Sequence, residues 1–407
     1  MKFLRTASTG RVLAVIVGLV VAIAAGTAIA VAAAGSGPVP QRESLATAVH
    51  GAATARAVKG ISANITFTNN LIGASDFQGG PTDPLLQGAT GRLWLSNDHR
   101  FRLELQSDNG DAQVVVNKDS FWISDPAQNV VYKGTLPASR AHAKRGAAQH
   151  AIPTIAQIQS DINRLAKRVS LSGAIPGDIA GQPAYTVRVS PKHDGGLLGS
   201  LQLGWDAVRG VPLRFAIYAR DNSTPVLELK ATDISYGSVS ASVFNIAPPA
   251  GSKVVKIATS QHQPAAAAKL RSRLAGKRAH ARVHGVAAVA ARLPFKLVAP
   301  KTLVGLPRHG ALLLNMGGDP AALVTYGKGL GGIAVIEHAQ SGSQGSQGSQ
   351  GAGLGSLSLP AVSINGTTGH ELDTPLGTVI TFARDGVGYT VLGSVPSAAA
   401  DMAAQAL

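Results

Sequence analysis

Residues 198–219, LGSLQLGWDAVRGVPLRFAIYA, contain two segments in which large apolar side chains occupy every second position. These apolar residues are Leu201, Leu203, Trp205, Leu213, Phe215 and Ile217. Because successive side chains of a β-strand point to opposite faces, the spacing predicts two strands, each with one apolar face. An antiparallel sheet that buries one face and leaves the other in water shows this pattern.

The same spacing recurs on both sides of this stretch. Further strands are predicted over residues 61–67, 101–105, 114–116, 121–123, 185–189 and 226–234. Residues 41–59 and 154–169 have instead the three-to-four residue apolar spacing of helices. Many strands accompanied by two helical segments predict an α+β domain built on one antiparallel sheet.

Composition excludes several classes of site. The chain of 407 residues is 45% hydrophobic and 14% charged, which argues against a wholly disordered protein. It contains no cysteine, so disulfides, thiolate zinc sites, iron–sulfur clusters and an acylated lipoprotein cysteine are all excluded. The formal net charge is +15, but twelve basic residues lie between Ile234 and Gly318, where there is no Asp or Glu. The basicity therefore belongs to one segment, and it is a weak indication of nucleic-acid binding.

The amino terminus has the pattern of a membrane-targeting segment. A basic region, residues 1–11, precedes an uncharged apolar run over residues 12–34. That run is long enough for a helix to cross a bilayer, which predicts a retained transmembrane anchor. Small-residue cleavage patterns at its end leave a cleaved signal segment as the alternative. Both interpretations place residues 1–11 in the cytoplasm and residues 36–407 outside it, so the protein is expected at the cell membrane or secreted.

Two domains are predicted beyond this segment, residues 42–257 and 292–407. Residues 258–291, rich in Ala, Lys, Arg and His, are interpreted as a basic linker between them. The linker is a solvated spacer, a contact for anionic lipid or envelope polymers, or a nucleic-acid site; the last is disfavoured because no aromatic residue interrupts it. The smaller second domain is predicted to be α+β, with a Gly/Ser/Gln loop over residues 341–351 and a closing helix over residues 397–407.

Catalytic and metal-binding patterns are not evident in the sequence. There is no HExxH, P-loop or GxSxG motif. Gly327, Gly329 and Gly332 match GxGxxG, but a strand is predicted after them, so a hairpin turn is favoured over a dinucleotide site. His280 and His284 have helical i, i+4 spacing with no third ligand in view. We therefore predict no catalytic residues, no metal, no cofactor and no enzyme activity.

The apolar sheet positions are the candidate binding residues. The two helical segments are short or rich in alanine, so they are expected to leave part of the apolar face as a cleft. A cleft of this kind suits an acyl chain. The alternative for each residue is ordinary core packing. The predicted lining residues are Trp94, Phe101, Leu103, Leu203, Trp205, Phe215 and Ile217.

Several short motifs, in order, carry a resemblance to a known family. They are Gly60-Ile61-Ser62-Ala63, residues 178–187 (DIAGQPAYTV), Leu203-Gly204-Trp205-Asp206, Gly210-Val211-Pro212-Leu213-Arg214, and residues 244–251 (FNIAPPAG). Together they resemble the LolA/LolB/RseB family of periplasmic lipoprotein carriers and envelope-stress sensors. The resemblance covers about residues 42–257, and none of its motifs is catalytic.

The resemblance implies a curved antiparallel half-barrel with covering helices around an apolar cavity for acyl chains. It implies non-enzymatic binding of lipid or lipoprotein acyl chains outside the cytoplasm. The alternative is a membrane-tethered regulator that binds the outer segment of an anti-sigma factor or another envelope protein. The predicted anchor and the extra domain depart from a soluble shuttle. No nucleic-acid partner is expected.

Overall fold

The computed structural model describes residues 39–71, 88–106, 111–126, 129–136, 152–193, 195–257, 283–316, 319–340 and 359–407. Contacts divide the chain into two compact units. The first unit comprises the described residues up to Lys192 together with residues 199–257. The second comprises the described residues of the segment 193–198 and those from 283 to 407.

The first unit consists mainly of β-strands. Its helices are α1 (Leu45–Thr54) and α2 (Ile155–Leu165), with a short 3-10 helix at Ala241–Phe244. Its strands are β1 (Gly60–Asn69), β2 (Ala89–Ser96), β3 (Arg100–Gln106), β4 (Ala112–Asn117), β5 (Ser120–Asp125), β6 (Val130–Thr135), β7 (Val169–Leu171), β8 (Ile175–Ile179), β9 (Gln182–Pro191), β10 (Leu198–Asp206), β11 (Pro212–Ala219), β12 (Pro225–Tyr236) and β13 (Lys253–Ile257).

These strands form one curled sheet in the described part of the chain. Its order is β13-β6-β5-β4-β3-β2-β1-β12-β11-β10-β9-β7, and β8 pairs with β9. The pairing of β1 with β12 is antiparallel and joins the first half of the strands to the second. Strand β13 pairs in parallel with β6. This antiparallel half-barrel with few helices agrees with the α+β class expected from the sequence.

One face of the sheet is apolar across many strands. Ile61, Ala63, Ile65 and Phe67 of β1 point to this face and are buried. Their cross-strand partners continue it in both directions, because directly paired residues share a face: Phe67 pairs with Ala89 on one side and with Leu229 on the other. The alternation predicted from sequence therefore corresponds to the buried core of the unit.

The two predicted helices exist but are shorter than the sequence patterns that indicated them. Helix α1 begins after Ser44, whose side chain accepts the backbone N–H of Thr47, and helix α2 begins with a capping box of Thr154 and Gln157. The pattern that predicted helix up to residue 169 overran α2, because Val169–Leu171 pairs with β9 as strand β7. Sheet pairing outweighs the local helical spacing there.

The second unit is also mainly β. Its helices are α3 (Val286–Ala290) and α4 (Ser397–Gln405). Its strands are β14 (Thr302–Leu303), β15 (Leu306–Met316), β16 (Asp319–Tyr326), β17 (Ile333–Ala339), β18 (Ala361–Ile364), β19 (Thr367–Thr374), β20 (Gly377–Arg384) and β21 (Val387–Gly393). Their order in the sheet is β14-β15-β16-β17-β21-β20-β19-β18.

Several sequence expectations concern this second unit. Residues 327–332, with the GxGxxG match, connect the antiparallel strands β16 and β17, which is the hairpin predicted for them. Helix α4 forms the predicted closing helix. The sequence placed residues up to 291 in the basic linker, whereas α3 packs into this unit with Val289 fully buried. His284 lies in an isolated bridge with Leu312, whereas His280 lies outside the described residues.

The predicted anchor, residues 12–34, lies outside the described residues, as do residues 341–351 and most of the basic linker. Within the described ranges, no helix has both the length and the apolar character needed to span a bilayer.

Candidate apolar binding site

The turn between β10 and β11 is fixed by a buried carboxylate. Asp206 is fully buried, and its Oδ1 accepts the backbone N–H groups of Val208 and Arg209, both at 2.8 Å. Its Oδ2 accepts the hydroxyl of Tyr236 at 2.7 Å, and the Arg209 guanidinium lies 4.3 Å from the centre of that tyrosine ring. Burial, followed by the contact with Asp206, raises the pKa of Tyr236. Burial and this fully satisfied network fix how the two strands meet.

Helix α1 docks onto this turn and covers one end of the apolar face. Ala48 packs against Tyr185 and Trp205 in a buried cluster. Gly210, with a φ of +65°, sits so close to α1 that a Cβ there would lie 2.4 Å from the carbonyl oxygen of Ala52. Only glycine meets both requirements, because it has no Cβ and adopts positive φ at little cost. The Trp-Asp and Gly-x-Pro-Leu-Arg motifs thus have a structural role at this contact.

Six side chains on strands β10–β12 continue the apolar face beyond α1. We call this group the apolar strip: Leu201, Leu203, Phe215, Ile217, Leu227 and Leu229. Phe215 pairs directly with Leu229, and Ile217 pairs with Leu227. Gln202 accepts a hydrogen bond from Arg214 at 3.1 Å and therefore lies on the opposite face from Phe215. Because neighbours in a strand alternate, Leu201 and Leu203 share the face of Phe215.

The strip is more accessible than the apolar residues of β1 and β3 on the same face. Leu203 is 36% exposed, and the other five side chains of the strip are half-buried. By contrast, Phe101 and Leu103 on β3 are 2% and 4% exposed. None of the six side chains carries a polar or ionisable atom. The strip can therefore contact an apolar group, and it has no chemistry for catalysis or metal binding.

The opposite, polar face of the same strands is rigidly crosslinked. Arg214 donates from Nε to Glu228 at 2.6 Å and from Nη1 to Gln202 at 3.1 Å. It also donates from Nη2 to the hydroxyl of Tyr218 at 2.7 Å. These charge-assisted hydrogen bonds span β10, β11 and β12 and hold the strands that carry the strip in one register.

The structure separates the seven residues predicted from sequence into three groups. Leu203, Phe215 and Ile217 belong to the apolar strip. Phe101, Leu103 and Trp205 are on the same face but buried, the first two in the main core and Trp205 against α1. The prediction for Trp94 is wrong in its geometry: it pairs with Arg102 on the other face, and the Arg102 guanidinium lies 4.9 Å from the centre of its ring.

Sequence reasoning missed three strip residues, Leu201, Leu227 and Leu229, as part of the site. All three were within predicted strands, and Leu227 and Leu229 alternate with Glu228 and Lys230. The alternation marked them as apolar-face residues. The alternation does not predict that β12 lies beside β11, because the pattern within one strand does not determine the order of strands in the sheet.

Comparison with known proteins gives similarities at the level of structure. No protein-family model matches the chain, and no curated protein has a significantly similar sequence. The crystal structure of MucB in complex with MucA(peri) is 16% identical, with a TM-score of 0.38, over 85% of this chain and 92% of that chain. The MucA/MucB complex of Pseudomonas aeruginosa is also 16% identical, with a TM-score of 0.37, over 85% and 91% of the two chains. A LolA superfamily protein from Nitrosomonas europaea is 11% identical, with a TM-score of 0.19, over 50% of this chain and 99% of that one.

One of these neighbours is described as a LolA superfamily protein, the group that the sequence motifs resemble. At identities below 25% and TM-scores below 0.5, the similarity concerns the fold and carries no information about a ligand. The function therefore has to be sought in the chain's own site.

Proposed function

We propose that the first unit binds an acyl chain of a lipid or lipoprotein on the apolar strip, without chemical change to it. The observation that carries this proposal is the partial exposure of six adjacent apolar side chains, with Leu203 36% exposed, on a face whose apolar residues on β1 and β3 are buried. Soluble domains seldom leave such a group uncovered unless something binds to it.

The dimensions of the strip favour a single chain. It spans three strands, about 10 Å between the outer two, and two rows of side chains, about 7 Å along the strands. Covering ten methylenes would contribute about 8 kcal/mol at about 0.8 kcal/mol for each. Several kcal/mol of this are offset by ordering the chain and losing its translational freedom. The expected affinity is thus moderate, which is compatible with reversible binding.

Location supports an acyl ligand as well. The expected topology places this unit outside the cytoplasm, tethered by residues 12–34 or released after their cleavage. A tethered unit meets membrane lipids and lipoproteins at high local concentration. The competing occupant is an apolar segment of an envelope protein, such as the outer part of an anti-sigma factor, in which case the unit would be a regulator.

Native mass spectrometry with lipid extraction tests the proposal on the full chain purified from membranes. The informative variant is Leu203→Asp, because its position is partly exposed and tolerates a polar residue. Leu330→Asp is the matched control, since Leu330 is 52% exposed and belongs to the second unit. We expect wild type and the control to carry acyl lipid. Leu203→Asp should retain about one tenth as much lipid or less, which corresponds to a loss of about 1.4 kcal/mol in binding free energy.

Equal lipid retention by all three proteins would refute the proposal. So would a preparation without lipid that takes up none when lysophospholipid is added. If that preparation instead binds an envelope protein through a surface sensitive to Leu203→Asp, the strip is a protein-docking surface. Thermal unfolding of each variant establishes that the substitutions leave the first unit folded.

A further inference from the structure

A cavity of about 460 Å³ lies on the polar face of the first unit, opposite to the apolar strip. It is located where β9, β10 and β11 approach the turn from β11 into β12. Its lining residues are Arg188, Ser190, Gly199, Ser200, Tyr218, Ala219, Asp221, Asn222 and Ser223. The volume is within the range of small-molecule sites.

The floor of this cavity is preorganised. Tyr218 and Ser200 are 8% and 7% exposed, and the Tyr218 hydroxyl is held by Arg214 at 2.7 Å. Gly199 allows β10 and β11 to approach closely, since a Cβ there would lie 2.4 Å from the carbonyl oxygen of Ala219. Because these contacts already order the residues of the floor, ligand binding would lose little free energy to ordering them.

Two exposed residues of opposite charge line the cavity. Arg188 and Asp221 both line it, and among the described residues neither forms an ion pair. The turn that carries Asp221 is held by Asn222, whose Oδ1 accepts the backbone N–H of Thr224 at 2.8 Å. Asp221 therefore lies on a defined turn, and Arg188 lies on strand β9.

We propose that this cavity binds a small zwitterion that carries an oxyanion and an ammonium group, such as a phosphoethanolamine headgroup or a free amino acid. Arg188 binds the oxyanion and Asp221 binds the ammonium, while Ser190, Ser200 and Asn222 offer hydrogen bonds. An anion would pair with Arg188 but be repelled by Asp221, and a cation would pair with Asp221 but be repelled by Arg188. A zwitterion is complementary to both residues. The proposal is independent of acyl-chain binding on the strip.

Isothermal titration calorimetry of the full chain in detergent tests it. The probes are O-phosphoethanolamine and L-serine, compared with inorganic phosphate and ethanolamine, each of which carries only one kind of charge. We expect a zwitterion to bind about tenfold more tightly than either single-charge probe. Tighter binding of O-phosphoethanolamine indicates a lipid headgroup as the natural ligand, and tighter binding of L-serine indicates a free amino acid.

Three variants make the test specific. Arg188→Gln and Asp221→Asn are each expected to weaken zwitterion binding at least about fivefold, in proportion to the lost charge contact. Arg220→Gln is the matched control, because Arg220 is exposed on the same turn and does not line the cavity. Leu203→Asp is expected to leave this binding unchanged. Phosphate binding as tight as O-phosphoethanolamine, insensitivity to Asp221→Asn, or no saturable binding of any probe would each overturn the proposal.

Discussion

Replacing Glu337 by Gln should stabilise the second unit at alkaline pH. Glu337 lies on β17, on the same face as the core residues Ile333 and Val335, and is fully buried. Its Oε2 accepts the backbone N–H of Val298 at 2.9 Å, while its Oε1 has no hydrogen-bond partner among the described residues. Burial raises the pKa of this carboxyl to about 7, against the lowering effect of the Val298 hydrogen bond.

The size and sign of the effect follow from this pKa. The carboxyl has a reference pKa of 4.5, so the folded unit binds its proton more tightly than the unfolded chain does. At about 1.4 kcal/mol per pKa unit, the difference corresponds to about 3 kcal/mol. The unfolding free energy is highest below about pH 4.5 and falls as the pH rises to about 7, where the buried group ionises. A glutamine has the same shape, keeps an acceptor for Val298 and cannot ionise.

We therefore expect Glu337→Gln to be more stable than wild type by about 2–3 kcal/mol at pH 8, with little difference at pH 4.5. Urea titrations at each pH, followed by hydrogen exchange of β17 peptides with mass spectrometry, report on this unit within the full chain. Asp319→Asn is the control, since Asp319 is exposed on β16 and should show no such effect. If Glu337→Gln is equally destabilising at both pH values, the cost of burying the charge is not what limits stability, and the reasoning fails.

Three further substitutions test the first unit. Gly210→Ala should lower the unfolding free energy by about 2–3 kcal/mol. Gly251→Ala should lower it less, because Gly251 has positive φ but open space around it, and equal urea midpoints for the two variants would contradict the tight contact of Gly210 with α1. Asp206→Ala should lower the unfolding free energy by about 3 kcal/mol in the same assay, because it leaves the Tyr236 hydroxyl and two backbone N–H groups without their acceptor. A loss below about 1 kcal/mol would show that water replaces the carboxylate as acceptor. Trp94→Leu should leave lipid retention unchanged, since Trp94 is on the polar face; a loss comparable to Leu203→Asp would move the binding site to that face.

Strand positions were predictable because their signal is local. Period-two alternation over residues 198–219 identified which side chains share a face, and Leu203, Phe215 and Ile217 were placed correctly on it. The error at Trp94 has a physical cause. Size and hydrophobicity suggested the apolar face, whereas its position in the alternation, opposite Ser62 and Arg102, places it on the other one. A cation–π contact with an arginine stabilises a large aromatic side chain that is not buried in the core.

The chain's own sequence determined the strands, the class of fold and the absence of any cysteine-based chemistry, because alternation and composition are properties of neighbouring residues. Only the tertiary structure decided that β12 lies between β1 and β11 and that α1 stops at the β10–β11 turn. Those choices depend on contacts between residues far apart in the chain, such as Gly210 with Ala52 and Asp206 with Tyr236. They also decide which part of the apolar face is core and which part, at Leu203, is left exposed.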